Sequence, residues 1–136
     1  MAATTYGFAK SLPETPFPEA VARVTDALKE EGFGVLTEID VQATLKKKLD
    51  VEMRPYLILG ACNPKLARQA IEHEPHIGLL LPCNVLIQET GAGSVEVSIA
   101  DPKAMFALVG QDAPPALQAV ADDARARLKR VVDRLS

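Results

Sequence analysis

Tryptophan is absent from this chain, and aromatic residues make up only 4% of it. A hydrophobic core must therefore be aliphatic, built from Leu, Val, Ile and Ala. So few aromatics also argue against a base-stacking platform for nucleic acid. No charge sign dominates: 15 basic residues stand against 18 acidic ones, a net charge of −3. That balance lacks the strongly basic face that marks nucleic-acid partners. Long hydrophobic runs are missing as well. The longest, Tyr56 to Cys62 and Ile77 to Cys83, fall well short of the ~20 apolar residues a membrane helix needs. The polar start, Met1-Ala2-Ala3-Thr4-Thr5, has neither the basic nor the apolar segment of a secretory signal. No membrane partner is indicated, and a soluble cytoplasmic protein is expected. Cysteine is scarce too. In a reducing compartment the two present, Cys62 and Cys83, are expected as free thiols rather than a permanent staple.

What remains is ample for one domain. The 136 residues are 48% hydrophobic, and a chain of this size buries roughly two-thirds of its unfolded surface. A single domain, 1–136, is expected to fold without metal or disulfide. Tyr6 to Lys10 reads as a first strand. Thr15 and Pro16 are the expected cap and first residue of a helix whose stripe is Phe17, Ala20, Val21, Val24 and Leu28. On it Lys29, Glu30 and Glu31 are expected to face water, and Gly32 to stop it. Gly34 to Val41 alternates as a strand, with Val35, Thr37 and Ile39 expected on one face and Leu36, Glu38 and Asp40 on the other. Asp40 can cap a short helix carrying Val41, Leu45 and Leu49.

Pro55 to Cys62 is almost wholly apolar and reads as a central strand buried on both faces. Asn63-Pro64 is the strongest local helix start in the chain, and that helix must end before Pro75. Ile77 to Glu89 is expected as a strand region interrupted by Pro82, which implies an edge or a bulge. Gly91-Ala92-Gly93 makes a hairpin turn, and Ser94 to Ile99 is the returning strand. A short helical stretch, Lys103 to Val109, precedes a loop. A long helix from Pro115 to Leu135 follows. Its stripe, Leu117, Ala121, Ala124, Leu128, Val131 and Leu135, has heptad-like steps. Packing on the sheet is the simpler reading of that stripe, and a dimer contact the alternative. The order of elements argues for an α+β fold with a largely antiparallel sheet and helices on one face.

Four segments carry a resemblance. Glu31-Gly-Phe-Gly-Val-Leu-Thr-Glu-Ile-Asp-Val41, Thr44 to Leu49, Tyr56-Leu-Ile-Leu-Gly-Ala-Cys-Asn-Pro64 and Ile77-Gly-Leu-Leu-Leu-Pro-Cys-Asn-Val85 come in the same order as in one uncharacterised prokaryotic family. The chain resembles that family, domain of unknown function 302, over nearly its whole length. The resemblance implies a curved antiparallel sheet with helices on one side, similar to the TATA-binding-protein-like fold, and a homodimer. It implies no activity and no DNA binding.

The stretch from Leu59 to Val85 concentrates the candidate chemistry. Both cysteines lie there, each followed by an asparagine. Cys62 precedes a helix start, where unpaired N–H groups favour a thiolate. Cys83 follows Pro82, and a bulge there would re-aim it. If their strands are neighbours, both thiols could face one pocket, pair reversibly, or hold a soft ligand. His73 and His76 would complete a Cys₂His₂ set, but zinc ligands come in close pairs and these cysteines do not. No metal site and no cofactor is expected. Glu38 and Asp40, about 7 Å apart along one strand face, form a carboxylate pair suited to acid–base work, with a wet edge and a helix cap as their plainer roles. The expected function is a binding or sensing module for a small or thiol-reactive molecule, with Cys62, Cys83, Asn63 and Asn84 around the pocket and Glu38 and Asp40 as further candidates. The alternatives are a thiol enzyme, with Cys62 as nucleophile or redox thiol and Cys83 resolving, and a structural, dimeric interaction protein.

Overall fold

A computed structural model describes residues 4–91 and 93–135. Residues 1–3 of the polar start, Ala92 of the expected hairpin turn, and residue 136 lie outside that description. The elements run β1 (Gly7–Pro13), α1 (Phe17–Glu30), β2 (Gly34–Asp40), α2 (Val41–Leu49), β3 (Tyr56–Cys62), α3 (Pro64–His73), a short 3-10 helix (Pro75–Leu80), β4 (Cys83–Gly91), β5 (Ser94–Ala100), α4 (Pro102–Phe106), a 3-10 turn (Ala107–Val109) and α5 (Pro115–Arg134). The five strands form one sheet in the order β1-β5-β4-β3-β2. Every neighbouring pair is antiparallel. This is the expected α+β architecture, and it is compatible with the TATA-binding-protein-like class.

One face of the sheet carries the core. Leu59 and Ala61 of β3, Val85 and Ile87 of β4, and Val95, Val97 and Ile99 of β5 are all buried. They meet Ala20, Val24 and Leu28 of α1, Leu66 and Ala70 of α3, and the α5 stripe. Leu117, Ala121, Ala124, Leu128, Val131 and Leu135 are each buried within the chain, so the heptad-like steps serve the protein's own core and offer no stripe for a second copy. Fully burying a Leu or Val side chain contributes about 1.5–3 kcal/mol, so this aliphatic layer dominates the fold's stability.

Among the described residues, the opposite face contributes little to the hydrophobic core. Tyr56, Ile58, Leu86 and Gln88 project there by strand alternation and are half-buried. The expectation that β3 is buried on both faces and central is therefore corrected. β4 is the middle strand, and β3 lies one place in from the edge. The apolar run in β3 serves one covered face and one open face.

Three further expectations change. In β2 a bulge between Val35 and Thr37 breaks the alternation. Val35 pairs with Ala61 on the helix side, whereas Thr37 and Ile39 pair with Gly60 and Ile58 on the open side. Val35 therefore shares a face with Glu38 and Asp40, because the inserted residue shifts the pleat by one. The strand expected from Ile77 starts only at Cys83. Ile77 to Leu80 instead form part of the 3-10 helix, led by Pro75 and with Ile77 N–H bonded to the Glu74 carbonyl. Pro82 thus ends a connection rather than interrupting a strand, and its peptide bond with Leu81 is cis. Finally, Pro16 rather than Thr15 sits at the cap of α1; the Thr15 hydroxyl donates to the Pro13 carbonyl.

Local signals elsewhere act as read. Asp40 accepts from Ala43 N–H at 2.9 Å and starts α2. The α2 stripe, however, reaches no core: no residue of that helix is buried. Gly32 takes φ +85 and closes α1, as the left-handed residue after a helix commonly does. At Gly60 a Cβ would collide with Thr37 Oγ1 and come within 2.8 Å of Pro82 Cγ. Glycine there lets the Pro82 ring lie against the sheet beside Asn84.

Candidate functional site

The site is built where β3 ends and β4 begins. β3 delivers Cys62 to the end of the strand, and Asn63 turns the chain into α3. Asn63 Oδ1 accepts from Leu66 N–H at 3.1 Å, satisfying one of the unpaired donors of the first turn. Pro64 needs no donor at its position. The returning chain passes through the 3-10 helix and Pro82 and enters β4 with Cys83 opposite Ala61 and Asn84 opposite Gly60.

This register sets the geometry of the two thiols. Cys83 shares the helix-covered face with Ala61 and packs against the core. Cys62 is the next residue along β3, paired with Gly34, and strand alternation turns it to the other side. Both cysteines are free and half-buried. They border one small cavity of about 30 Å³, together with Phe33, Ala61, Leu66 and Phe106. That volume holds water but no organic ligand. A wider cleft of about 180 Å³ adjoins it. Pro82, Cys83, Asn84, Met105 and Phe106 line that cleft.

Burial pushes the Cys62 thiol above its ordinary value. This is opposite to the direction expected of a thiol before a helix start, because burial disfavours the charged thiolate. Cys83 is pushed up to about 11, first by burial and then by the neighbouring Cys62. Both thiols are therefore protonated near neutral pH.

The other candidates lie apart. Asn63 is committed to its capping role, while Asn84 is exposed on β4 beside the cleft. Glu38 and Asp40 are exposed on edge strand β2, across from Leu59 and Leu57. Neither borders the cysteine cavity or the adjoining cleft, and Asp40 serves as a cap. His73 and His76 are exposed; His76 sits beside Glu74. Among the described residues no group of three or more His, Cys, Asp or Glu converges on a metal position.

The strongest polar cluster was not anticipated. Glu31 is buried rather than facing water. Its carboxylate accepts from Arg130 Nε at 2.9 Å and from Arg134 Nη2 at 3.0 Å. Arg127 donates to its carbonyl. Burial would raise the Glu31 pKa, but the two guanidinium hydrogen bonds outweigh it and hold the carboxyl below its ordinary value. The available signal was the spacing of Arg130 and Arg134, four apart on one helix face. Nothing in the sequence marked Glu31 rather than Glu30 as their partner. Asp101 and Arg125 form a similar tie at 3.1 Å, and Asp101 also caps α4.

The family model for Domain of unknown function DUF302 matches residues 8–135. The chain belongs to the DUF302 family. A crystal structure of an uncharacterized conserved DUF302 protein from Bacillus stearothermophilus is similar, with 27% identity, a TM-score of 0.85, and coverage of 98% of this chain and 100% of that one. No curated protein matches. Membership of DUF302 accounts for the architecture and carries no activity with it. No helix among the described residues is long and apolar enough to cross a membrane.

Proposed function

We propose that this DUF302 protein is a small-molecule binding module whose site is the cleft beside Cys83 and Asn84. The observation that carries the reading is convergence. Cys62 and Asn63 from one strand end, and Cys83 from the start of its neighbour, border the same small cavity, which adjoins the 180 Å³ cleft. The cleft combines apolar walls from Pro82, Met105 and Phe106 with the thiol of Cys83 and the amide of Asn84. An amide can orient a polar group by giving and accepting hydrogen bonds. A protonated thiol suits contact with a soft or apolar ligand better than nucleophilic attack, which favours binding over the thiol-enzyme alternative.

Alkylation in the native state tests this. A small reagent such as acrylamide should reach Cys83 faster than global unfolding permits, while a bulky fluorescein maleimide should not. Labelling of Cys83 by both reagents only at the unfolding rate would show an inert packed sulfur and overturn the reading.

A second reading, a homodimeric interaction protein, draws on the uncovered sheet face. Ile39 is 50% exposed on edge strand β2, beside half-buried Ile58 and Leu86 in the same row. The edge strand and this apolar row together could receive a second copy. Light scattering should then give a dimer that Ile39→Asp converts to monomer. A wild-type chain that stays monomeric at high concentration would sink the idea.

A further inference from the structure

The connection between the last two helices leaves a groove that the cysteine cleft does not explain. α4 ends at Phe106, and the 3-10 turn ends before Gly110. Gly110 takes φ +103, a left-handed conformation that glycine adopts without strain. The chain then swings out and returns through Ala113 to begin α5. Small side chains face each other across the gap, Ala107 and Ala113 from the connection and Ala121 from α5. Buried Phe106 and Leu117 form the floor. The resulting volume is about 380 Å³, which falls within the range of roughly 300–1,000 Å³ typical of small-molecule sites.

The polar lining restricts what can enter. Lys103 and Asp122 are the charged groups along the groove, and they pair with each other at 3.3 Å. The pair leaves the groove with no net charge, so an ionic ligand would lose hydration without a net field to offset it. Gln118 is turned toward the Ala113 carbonyl, a long contact of 3.4 Å. Gln111 lines the same groove and is exposed. Its amide offers both a donor and an acceptor.

We propose that the groove between α4 and α5 binds a small, neutral, mainly apolar molecule with one hydrogen-bonding end, which Gln111 engages. The body of the ligand lies against Phe106, Leu117 and Ala121. The site is separate from the cysteine cleft: Cys62, Cys83 and Asn84 do not line it, although Phe106 is a wall of both.

Indole, a neutral ring with one N–H donor, is a suitable probe, and indole-3-acetate is its charged counterpart. Titration of the full chain, followed by amide NMR, should show saturable shifts at Phe106, Gln111, Leu117 and Ala121 with indole. Indole-3-acetate should bind at least about tenfold more weakly, given the cost of burying an unpaired charge. Ala107→Trp, at an exposed rim position, should fill the groove and abolish the shifts with the fold intact. Gln111→Ala should weaken binding by about fivefold, the loss expected for one net hydrogen bond. The proposal fails if the folded wild type shows no indole shifts at these residues, or if indole-3-acetate binds as tightly. It also fails if the groove shifts follow protein concentration rather than indole, since the occupant would then be a second copy.

Discussion

Cys83 stands directly across from Ala61 in the β3–β4 ladder, one position out of step with Cys62. That single offset separates two residues that otherwise border the same cavity. Side chains alternate along a strand, so the pleat starts these two side chains from opposite faces although both reach the same cavity. A disulfide requires Cβ atoms that face each other at about 3.5–4.5 Å.

It follows that the folded protein should keep both thiols under mild oxidation. Treatment with diamide, followed by intact-mass analysis, should show no loss of two hydrogens, and thiol titration should still count both cysteines. Formation of an intramolecular disulfide in the native state would contradict the offset.

The thiols should also differ in reactivity. Cys83 is pushed up to about 11 by burial and by Cys62, whereas Cys62 is raised by burial alone. With iodoacetamide, peptide mapping should find Cys62 alkylated first at every pH near neutrality. Alkylation of native Cys83 should reach half its limiting rate only near pH 11. The folded state holds these protons more tightly than the unfolded chain, so stability is full below the ordinary thiol value of 9.0 and declines as pH rises above it. Replacing Cys83 with Ala should flatten that alkaline decline.

Glu31 makes the opposite prediction at acid pH. Its folded pKa lies below the ordinary 4.5 because of Arg130 and Arg134. The stability it contributes is present above 4.5 and is lost as pH falls through the lower folded value. Glu31→Gln should lower stability at neutral pH by about 1–3 kcal/mol, since both arginines are half-exposed and regain water. It should also make the acid limb of a denaturation profile shallower. Unchanged stability and an unchanged acid limb would show that the cluster is ornamental.

Gly60→Ala tests the close approach of Pro82 to the sheet. The new methyl would meet Thr37 Oγ1 and Pro82 Cγ, at a cost of about 1–3 kcal/mol for overpacking. The double variant with Thr37→Ala should recover part of that loss, because one of the two obstacles is gone. Chemical denaturation of the three variants measures both effects. Equal stability of wild type and Gly60→Ala would mean that Pro82 moves aside freely.

Much of this protein was written locally. Asn63-Pro64 starts α3 because an amide oxygen and a proline suit the first turn of any helix. Asp40 caps α2 on the same grounds, and Gly32 ends α1. The α5 stripe could be read from its spacing because helical periodicity is a property of the backbone. That both cysteines meet at one junction was conditional in the sequence, because it needed β3 and β4 to be neighbours. The family resemblance covered the same ground and supplied the architecture.

The rest depended on contacts between distant segments. The apolar run in β3 suggests burial on both faces, yet only the helices' choice of side leaves one face open. The bulge at Val35–Thr37 is a property of the pairing with β3, so alternation within β2 could not reveal it. Glu31 and Glu30 are the same residue type at adjacent positions, and only the docking of α5 decides which meets Arg130 and Arg134. By itself, the sequence determined the α-helices, the caps of α2 and α3 and the aliphatic nature of the core, because these rest on interactions within a few residues. Tertiary structure alone decided the register that sets Cys62 against Cys83 and the burial that keeps both protonated, because register and burial arise only when strands far apart in the chain meet.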